Sequence, residues 1–129
     1  MNGKKCLLDT SIIIDFFLGS QLAKKQIENI TDLFISAITY GELLYGAENS
    51  GNRSKHLKQV NEFANICRIV QIDDETAKIY SQIKSQLKKD GKPIPENDIW
   101  IAASAMQNNL ALIANDVHFT FIKELKLIH

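Results

Sequence analysis

The sequence predicts an α/β fold, a three-layer α/β/α arrangement with a central, mostly parallel sheet covered by helices on both faces. Three observations predict it. Short apolar runs of strand length alternate with stretches of helix length. Several of those runs end in an acid or a hydroxyl residue, the chemistry that starts a helix after a strand. The chain is 129 residues long and 45% hydrophobic, enough for one core without staples, so a single domain over residues 1–129 is expected.

The elements follow in order. Cys6 to Asp9 is a buried strand with an acid at its carboxyl tip. Ser11 to Leu18 is a helix closed by Gly19, a natural residue just past a helix end. Ser20 to Ile30 is a second helix with a loose stripe of Leu22, Ile27 and Ile30. Leu33 to Ile35 is a short strand, and Ser36 to Glu48 a helix in spite of two glycines. After a turn at Asn49 to Asn52, Arg53 to Ala64 is helical, with Leu57, Val60 and Phe63 on one side. Arg68 to Ile72 is a strand. Asp73 to Lys89 is a long helix with a start capped by Asp73 and Thr76 and a buried face of Ala77, Tyr80, Ile83 and Leu87. Lys92 to Pro95 is an extended connector, and Glu96 to Asn109 a helix with Ile99, Ala102, Ala103 and Met106 on one face. Leu110 to Ala114 and Leu125 to Ile128 complete the strands, separated by a turn at Asn115-Asp116 and a short piece.

Bulk composition excludes several classes. Fifteen basic and fifteen acidic residues balance, so there is no wholesale basic footprint for nucleic acid, and self-association meets little repulsion. Cys6 and Cys67 lie in or beside apolar runs without a second Cys or His at ligand spacing, as expected of buried thiols in a reducing compartment. Asp9 and Asp15 interrupt the apolar run behind Lys4 and Lys5, which is unlike a signal peptide, and no apolar stretch approaches a membrane span. A cytoplasmic protein with no membrane partner is expected.

Four acids share a placement. Asp9 and Asp116 each follow a strand, Glu42 lies in the early turns of the helix after the second strand, and Asp98 opens the helix after Pro95. In parallel α/β sheets that edge is where ligands bind. Each acid also has an ordinary structural role: Asp9 as a helix cap, Glu42 as the partner of Thr39 in a capping box, Asp98 as a complement to a helix dipole, Asp116 as a turn residue. Four carboxylates together would raise one another's pKa, which a bound cation relieves. All-oxygen donors favour Mg²⁺ or Mn²⁺ over zinc. Such a site suits phosphodiester hydrolysis leaving a 5′-phosphate and a 3′-hydroxyl. Thr10 and Ser11 would orient Asp9 or hold a metal-bound water, and they suit a cap of the next helix equally well. Lys84, Lys88, Lys89 and Lys92 cluster around the end of the long helix, either as a rail for a phosphate backbone or as a solvated helix end. His56, His118 and His129 fall into no ligand or triad pattern, and His118 is left unassigned.

The residues Leu8-Asp9-Thr10-Ser11, Ser36 to Ala47 around Glu42, Gly91 to Ala103 around Asp98, and Leu112 to Phe119 around Asp116 together resemble the PIN-domain ribonucleases. More closely, they resemble the VapC toxins of toxin–antitoxin pairs. The resemblance spans nearly the whole chain. It implies a PIN-like parallel sheet of about five strands, and Mg²⁺- or Mn²⁺-dependent endonucleolytic cleavage of RNA, in many members tRNA. It places the family's four catalytic, metal-holding acids on Asp9, Glu42, Asp98 and Asp116. It also implies a homodimer held inactive by a cognate VapB-like antitoxin, which covers the groove and often points a basic side chain into the site. Phe16, Phe17, Leu43, Leu44 and Tyr45 offer apolar surface for that partner or for the core. One departure is Ala114, where many relatives carry Thr or Ser. Two rival readings remain. An aspartyl phosphotransferase would use Asp9 as nucleophile but usually has a second Asp where Ser11 stands. A catalytically silent PIN-like scaffold would bind RNA or protein without cleaving.

Overall fold

The computed structural model describes residues 4–129. The chain runs β1 (Lys5–Leu8), α1 (Thr10–Phe17), α2 (Gln21–Glu28), β2 (Asp32–Ser36), α3 (Ala37–Glu48) and α4 (Arg53–Asn65). It continues through β3 (Arg68–Val70), α5 (Asp74–Asp90), α6 (Glu96–Gln107), β4 (Ala111–Ile113), a 3₁₀ turn (Val117–Phe121) and β5 (Leu127–Ile128). The five strands form one sheet in the order β3-β2-β1-β4-β5, every pair parallel.

Strand pleating sorts the core into two layers. Cys6 and Leu8 of β1 join Ile35, Ile113 and the inner faces of α1 to α4. Leu7 points the other way, with Leu112 and Ala114, and meets Ile83, Leu87 and a fully buried row along α6. That row, Ile101 to Ala105, is small and continuous, which lets α6 press against both the sheet and α5.

The strand order sets the site. The chain moves outward from β1 to β2 and β3, then returns through α5 and α6 to add β4 on the other side of β1. The crevice beyond the carboxyl ends of β1 and β4 is therefore the topological switch point where α/β sheets bind ligands. Asp9 and Asp116 flank it, and the Asp9 amide is tied to Ile113 O at 3.0 Å.

Local signals explain most boundaries. Gly19 sits at φ +88°, where a side chain would strain the turn between α1 and α2, and Ser20 Oγ then accepts the Ala23 amide to cap α2. Asp73 and Thr76 cap α5 reciprocally, and Gly91 closes it at φ +66°.

Some expectations shift. β3 and β5 stop short of the expected Ile72 and Leu125 ends, as edge strands do when pairing exists on one side alone. In α2, Leu22 faces solvent and Ala23 takes the buried place beside Ile27. In α5, Ala77 is exposed and Thr76 is buried, because that turn is fixed by its cap and by Gln107.

Candidate active site

All four acids arrive at the edge beyond β1 and β4. Asp9 holds the position that caps α1, yet its side chain makes no capping hydrogen bond, so the carboxylate is left to face the crevice. It is 3% exposed. Burial is the first reason its pKa is pushed up to about 7; the charge of Asp98, and less so that of Glu42, push the same way, against the amides of Thr10 and Ser11.

Glu42 is in the second turn of α3. The capping-box expectation for Thr39 and Glu42 does not hold. Ser36 is the cap, its Oγ accepting the Thr39 amide at 3.0 Å, which buries Thr39 one turn inside. The Thr39 hydroxyl meets Ser36 at 3.3 Å and Thr10 at 3.0 Å, while the Thr10 hydroxyl donates to Glu42 Oε1 at 2.6 Å. A carboxylate accepts only, so Thr10 commits its single proton to Glu42, and the Thr39 proton fills the contact between the two threonines. Asn97 Nδ2 donates to the other oxygen, Oε2, at 3.2 Å. Glu42 is thus held from both sides by neutral donors. Thr10 orients Glu42 rather than Asp9, and Ser11 is exposed and turns its amide toward Asp9.

Asp98 lies in the first turn of α6. Its pKa is pushed up to about 6 by burial, then by the charges of Asp116 and Glu42, with His118 pulling it back down. Since Asp98 also acts on Asp9, it is the hub through which all four acids feel one another. Asp116 caps the 3₁₀ turn, its Oδ1 accepting the His118 amide at 2.9 Å.

His118, unassigned from the sequence, belongs here. Its Nδ1 lies 3.1 Å from Asp116 Oδ1 and 4.0 Å from Asp98 Oδ2. The atom is buried and, despite the short distance to Asp116, too oblique for a hydrogen bond. The one sequence signal was the spacing Asp-x-His after a strand. Among the described residues, no Lys or Arg pairs with any of the four acids.

The lysine cluster divides. Lys84 is paired with Glu96 and bonded to Tyr80. Lys92 lies over the Phe121 ring, 4.8 Å from its centroid, and that ring neighbours His118. Lys88 and Lys89 are exposed in the last turn of α5. Beside Glu42 opens a groove lined by Thr10, Ile14, Ile38, Gly41, Tyr45 and Asn97. An apolar neighbour joins it through Ile14 and runs past Phe17, Leu18 and Leu43. Leu43 is buried in the core, whereas Tyr45 and Leu18 are 73% and 81% exposed. Phe16, Phe17 and Leu44 pack partly against the core.

A family profile described as PIN domain matches residues 6–125. The chain is 36% identical over 124 residues to "Ribonuclease VapC1" of Methanocaldococcus jannaschii, covering 95% of this chain and 85% of that protein. It is 28% identical over 114 residues to "tRNA(fMet)-specific endonuclease VapC" of Shigella flexneri, covering 87% and 86%. Among solved structures, VapBC-1 from nontypeable Haemophilus influenzae superposes with a TM-score of 0.87 at 29% identity over 96% of each chain.

Proposed function

The chain belongs to the PIN-domain family, on its VapC-like side, and from that premise we propose that it is a divalent-metal-dependent endoribonuclease, acting as the toxin of a toxin–antitoxin pair. One observation carries the reading. Four carboxylates converge at the switch point of the sheet, two of them with strongly raised pKa values, and no Lys or Arg side chain among the described residues neutralises them. Mutually repelling acids gathered in a crevice are the arrangement that a bound cation stabilises.

The donor set fits Mg²⁺ or Mn²⁺. Asp9, Asp98, Asp116 and Glu42 offer hard oxygen donors in a partly open crevice, the setting in which these ions keep some of their waters. When bound, the ion lowers the pKa of water and neutralises charge on the phosphorus as it is attacked. The residues do the rest. Asp9 and Asp98 surrender their protons to become ligands. Thr10 and Asn97 fix both oxygens of Glu42, so its carboxylate enters the site in one orientation. Hydrolysis adds a water oxygen to phosphorus and breaks the bond to the 3′-oxygen, leaving a 5′-phosphate on one fragment and a 3′-hydroxyl on the other. In this reading Lys92, which lies over the Phe121 ring that neighbours His118, and the exposed Lys88 and Lys89 would contribute to holding backbone phosphates.

RNA is the substrate in this reading and tRNA the first to test, as the name of the Shigella relative suggests. The partner is a VapB-like antitoxin, whose segment fits the groove that runs from Leu18 and Ile14 to Glu42, with a homodimer of toxin chains as the unit. The reading has one domain spanning 1–129 act on RNA in the cytoplasm; no helix among the described residues is long and apolar enough to cross a membrane.

The test is cleavage of total cellular RNA by purified protein with Mg²⁺ or Mn²⁺, with EDTA, and with Asp9→Asn. Fragments with 5′-phosphate ends that vanish with EDTA and in the variant are expected. A folded, antitoxin-free protein that cuts nothing and shows no metal-induced thermal shift would leave a silent scaffold instead.

A further inference from the structure

We propose that His118 is a nitrogen ligand, through Nδ1, to a cation also held by Asp98 and Asp116, and that it tilts the site toward Mn²⁺ over Mg²⁺. The proposal rests on the metal-dependent reading above and adds a residue outside its four acids.

Three observations carry it. First, His118 Nδ1, one oxygen of Asp98 and one of Asp116 all lie within 4.8 Å of one another. Six-coordinate ions with bonds of about 2.1 Å space adjacent donors about 3.0 Å apart and opposite ones about 4.2 Å apart. The Nδ1 distances, 3.1 Å to Asp116 and 4.0 Å to Asp98, match those two spacings. Second, Nδ1 is buried without a hydrogen-bond partner. A buried polar atom left unbonded is costly and calls for an explanation. A direct bond to Asp116 would remove that cost, but the ring is turned so that the bond does not form. An ion lying between the nitrogen and the two carboxylates would meet a lone pair on Nδ1 instead. Third, the ring is held where it is. The His118 amide is bonded to Asp116 Oδ1 at 2.9 Å, and Phe121 packs at a tilt against the imidazole with centroids 6.3 Å apart. Backbone and neighbour together fold the ring back over the carboxylate that caps its own turn.

The chemistry of the donor then sets the preference. Magnesium favours oxygen donors alone. An imidazole nitrogen moves a site toward the transition metals, and manganese accepts both donor types. Replacing one oxygen position by nitrogen therefore strengthens Mn²⁺ binding selectively.

The experiment is pulsed electron paramagnetic resonance on the full chain with one equivalent of Mn²⁺, in protein grown with natural histidine and with ¹⁵N-histidine. Electron-spin-echo modulation from ¹⁴N, replaced by the ¹⁵N pattern on labelling and absent in His118→Gln, is expected. Direct titration should show His118→Gln binding Mn²⁺ at least about tenfold more weakly, the loss seen when even an outer partner of a ligand is removed, with Mg²⁺ binding little changed. Bound Mn²⁺ without nitrogen modulation in the wild type overturns the proposal, as does a variant with the wild-type Mn²⁺ to Mg²⁺ preference. Asp98→Asn separates the two levels of argument. If it abolishes Mn²⁺ binding while the wild type shows no nitrogen signal, the acidic site stands and the histidine ligand falls. If the wild type binds no Mn²⁺ at all, both fall.

Discussion

Asp9 offers the sharpest test of whether the cluster is built for a cation. In the metal-free protein its pKa rises from the ordinary 3.8 to about 7, chiefly through burial and then through Asp98. A folded-state pKa above the unfolded value means that the folded chain holds its proton more tightly. Below pH 3.8 both states are protonated and the group costs nothing. As pH climbs from 3.8 to about 7, the unfolded chain gives up the proton first, and stability falls. Above pH 7 the whole difference is lost, which at about 1.4 kcal/mol per pH unit comes to about 4 kcal/mol for the rise from 3.8 to about 7. Asp9→Asn keeps the shape and removes the charge. In EDTA it should therefore stabilise the protein by about 4 kcal/mol at pH 8 but by only about 1.5 kcal/mol at pH 5, where the folded wild type is still protonated. Urea unfolding of both proteins at pH 5, 6.5 and 8, fitted with a common slope, reads the difference. Parallel curves for wild type and variant across that range would refute the reasoning, as would a gain at pH 5 as large as that at pH 8. Mn²⁺ should narrow the gap at pH 8: a ligand at a hundred times its dissociation constant adds about 2.7 kcal/mol to the state it binds, and the variant lacks the charge to bind it, so more than half of its lead of about 4 kcal/mol should disappear.

Other outcomes follow from the same geometry. Asp98→Asn should abolish RNA cleavage with helix content unchanged by circular dichroism, and its metal-free gain in stability should be smaller than that of Asp9→Asn, because its carboxyl is raised only to about 6. Thr10→Val removes the donor to Glu42 and leaves both Glu42 and Thr39 short of a partner, so it should cost about 1–3 kcal/mol in urea unfolding and slow cleavage, while Thr10→Ser restores both. Mn²⁺ must displace the protons that Asp9 and Asp98 hold below pH 6 to 7, so its binding should tighten as pH rises from 5 to 7.5, by up to about tenfold per pH unit for each proton released. Calorimetric titration in two buffers of different ionisation enthalpy counts those protons.

What the sequence discloses and what it hides divide along a physical line. Asp9, Asp98 and Asp116 are legible because each is tied to a local pattern, an apolar run that must be a strand or a capped helix start, and the parallel topology carries all three to one edge. Glu42 is legible as an acid but not in its environment. Ser36 and Thr39 are both good caps, and sequence alone does not decide which hydroxyl stands outside α3 and which is buried one turn in. In the structure Ser36 ends β2 and caps α3, which leaves Thr39 to meet Thr10 and Thr10 to meet Glu42. The lysines fail for a related reason. Lys84 reads as free on its own helix, yet its partner Glu96 comes from the next one, brought there by the stacked Tyr80 and Trp100 rings between α5 and α6. His118 stayed unassigned because its meaning depends on a 3₁₀ turn that folds one ring over an acid two residues back. The exposed Leu18 and Tyr45 carry the same lesson. Periodicity marks them as apolar, and only the packing shows that the core has no place for them.

In the proposed reading, catalysis and inhibition share one source. Glu42 is satisfied by Thr10 and Asn97, both neutral, so its negative charge is oriented without being cancelled. Asp9 and Asp98 are desolvated by the same apolar layers that hold the sheet together, which makes their charge dearer and any cation nearby more strongly attracted. The groove past Ile14 and Tyr45 opens directly onto Glu42. In that reading, a segment seated in the groove and carrying Arg or Lys would meet the same field that would draw a metal ion, and the two would compete in proportion to their charge and placement. In the proposed reading the antitoxin needs no second site to silence the enzyme; it needs an apolar anchor at one end of the groove and one positive charge at the other.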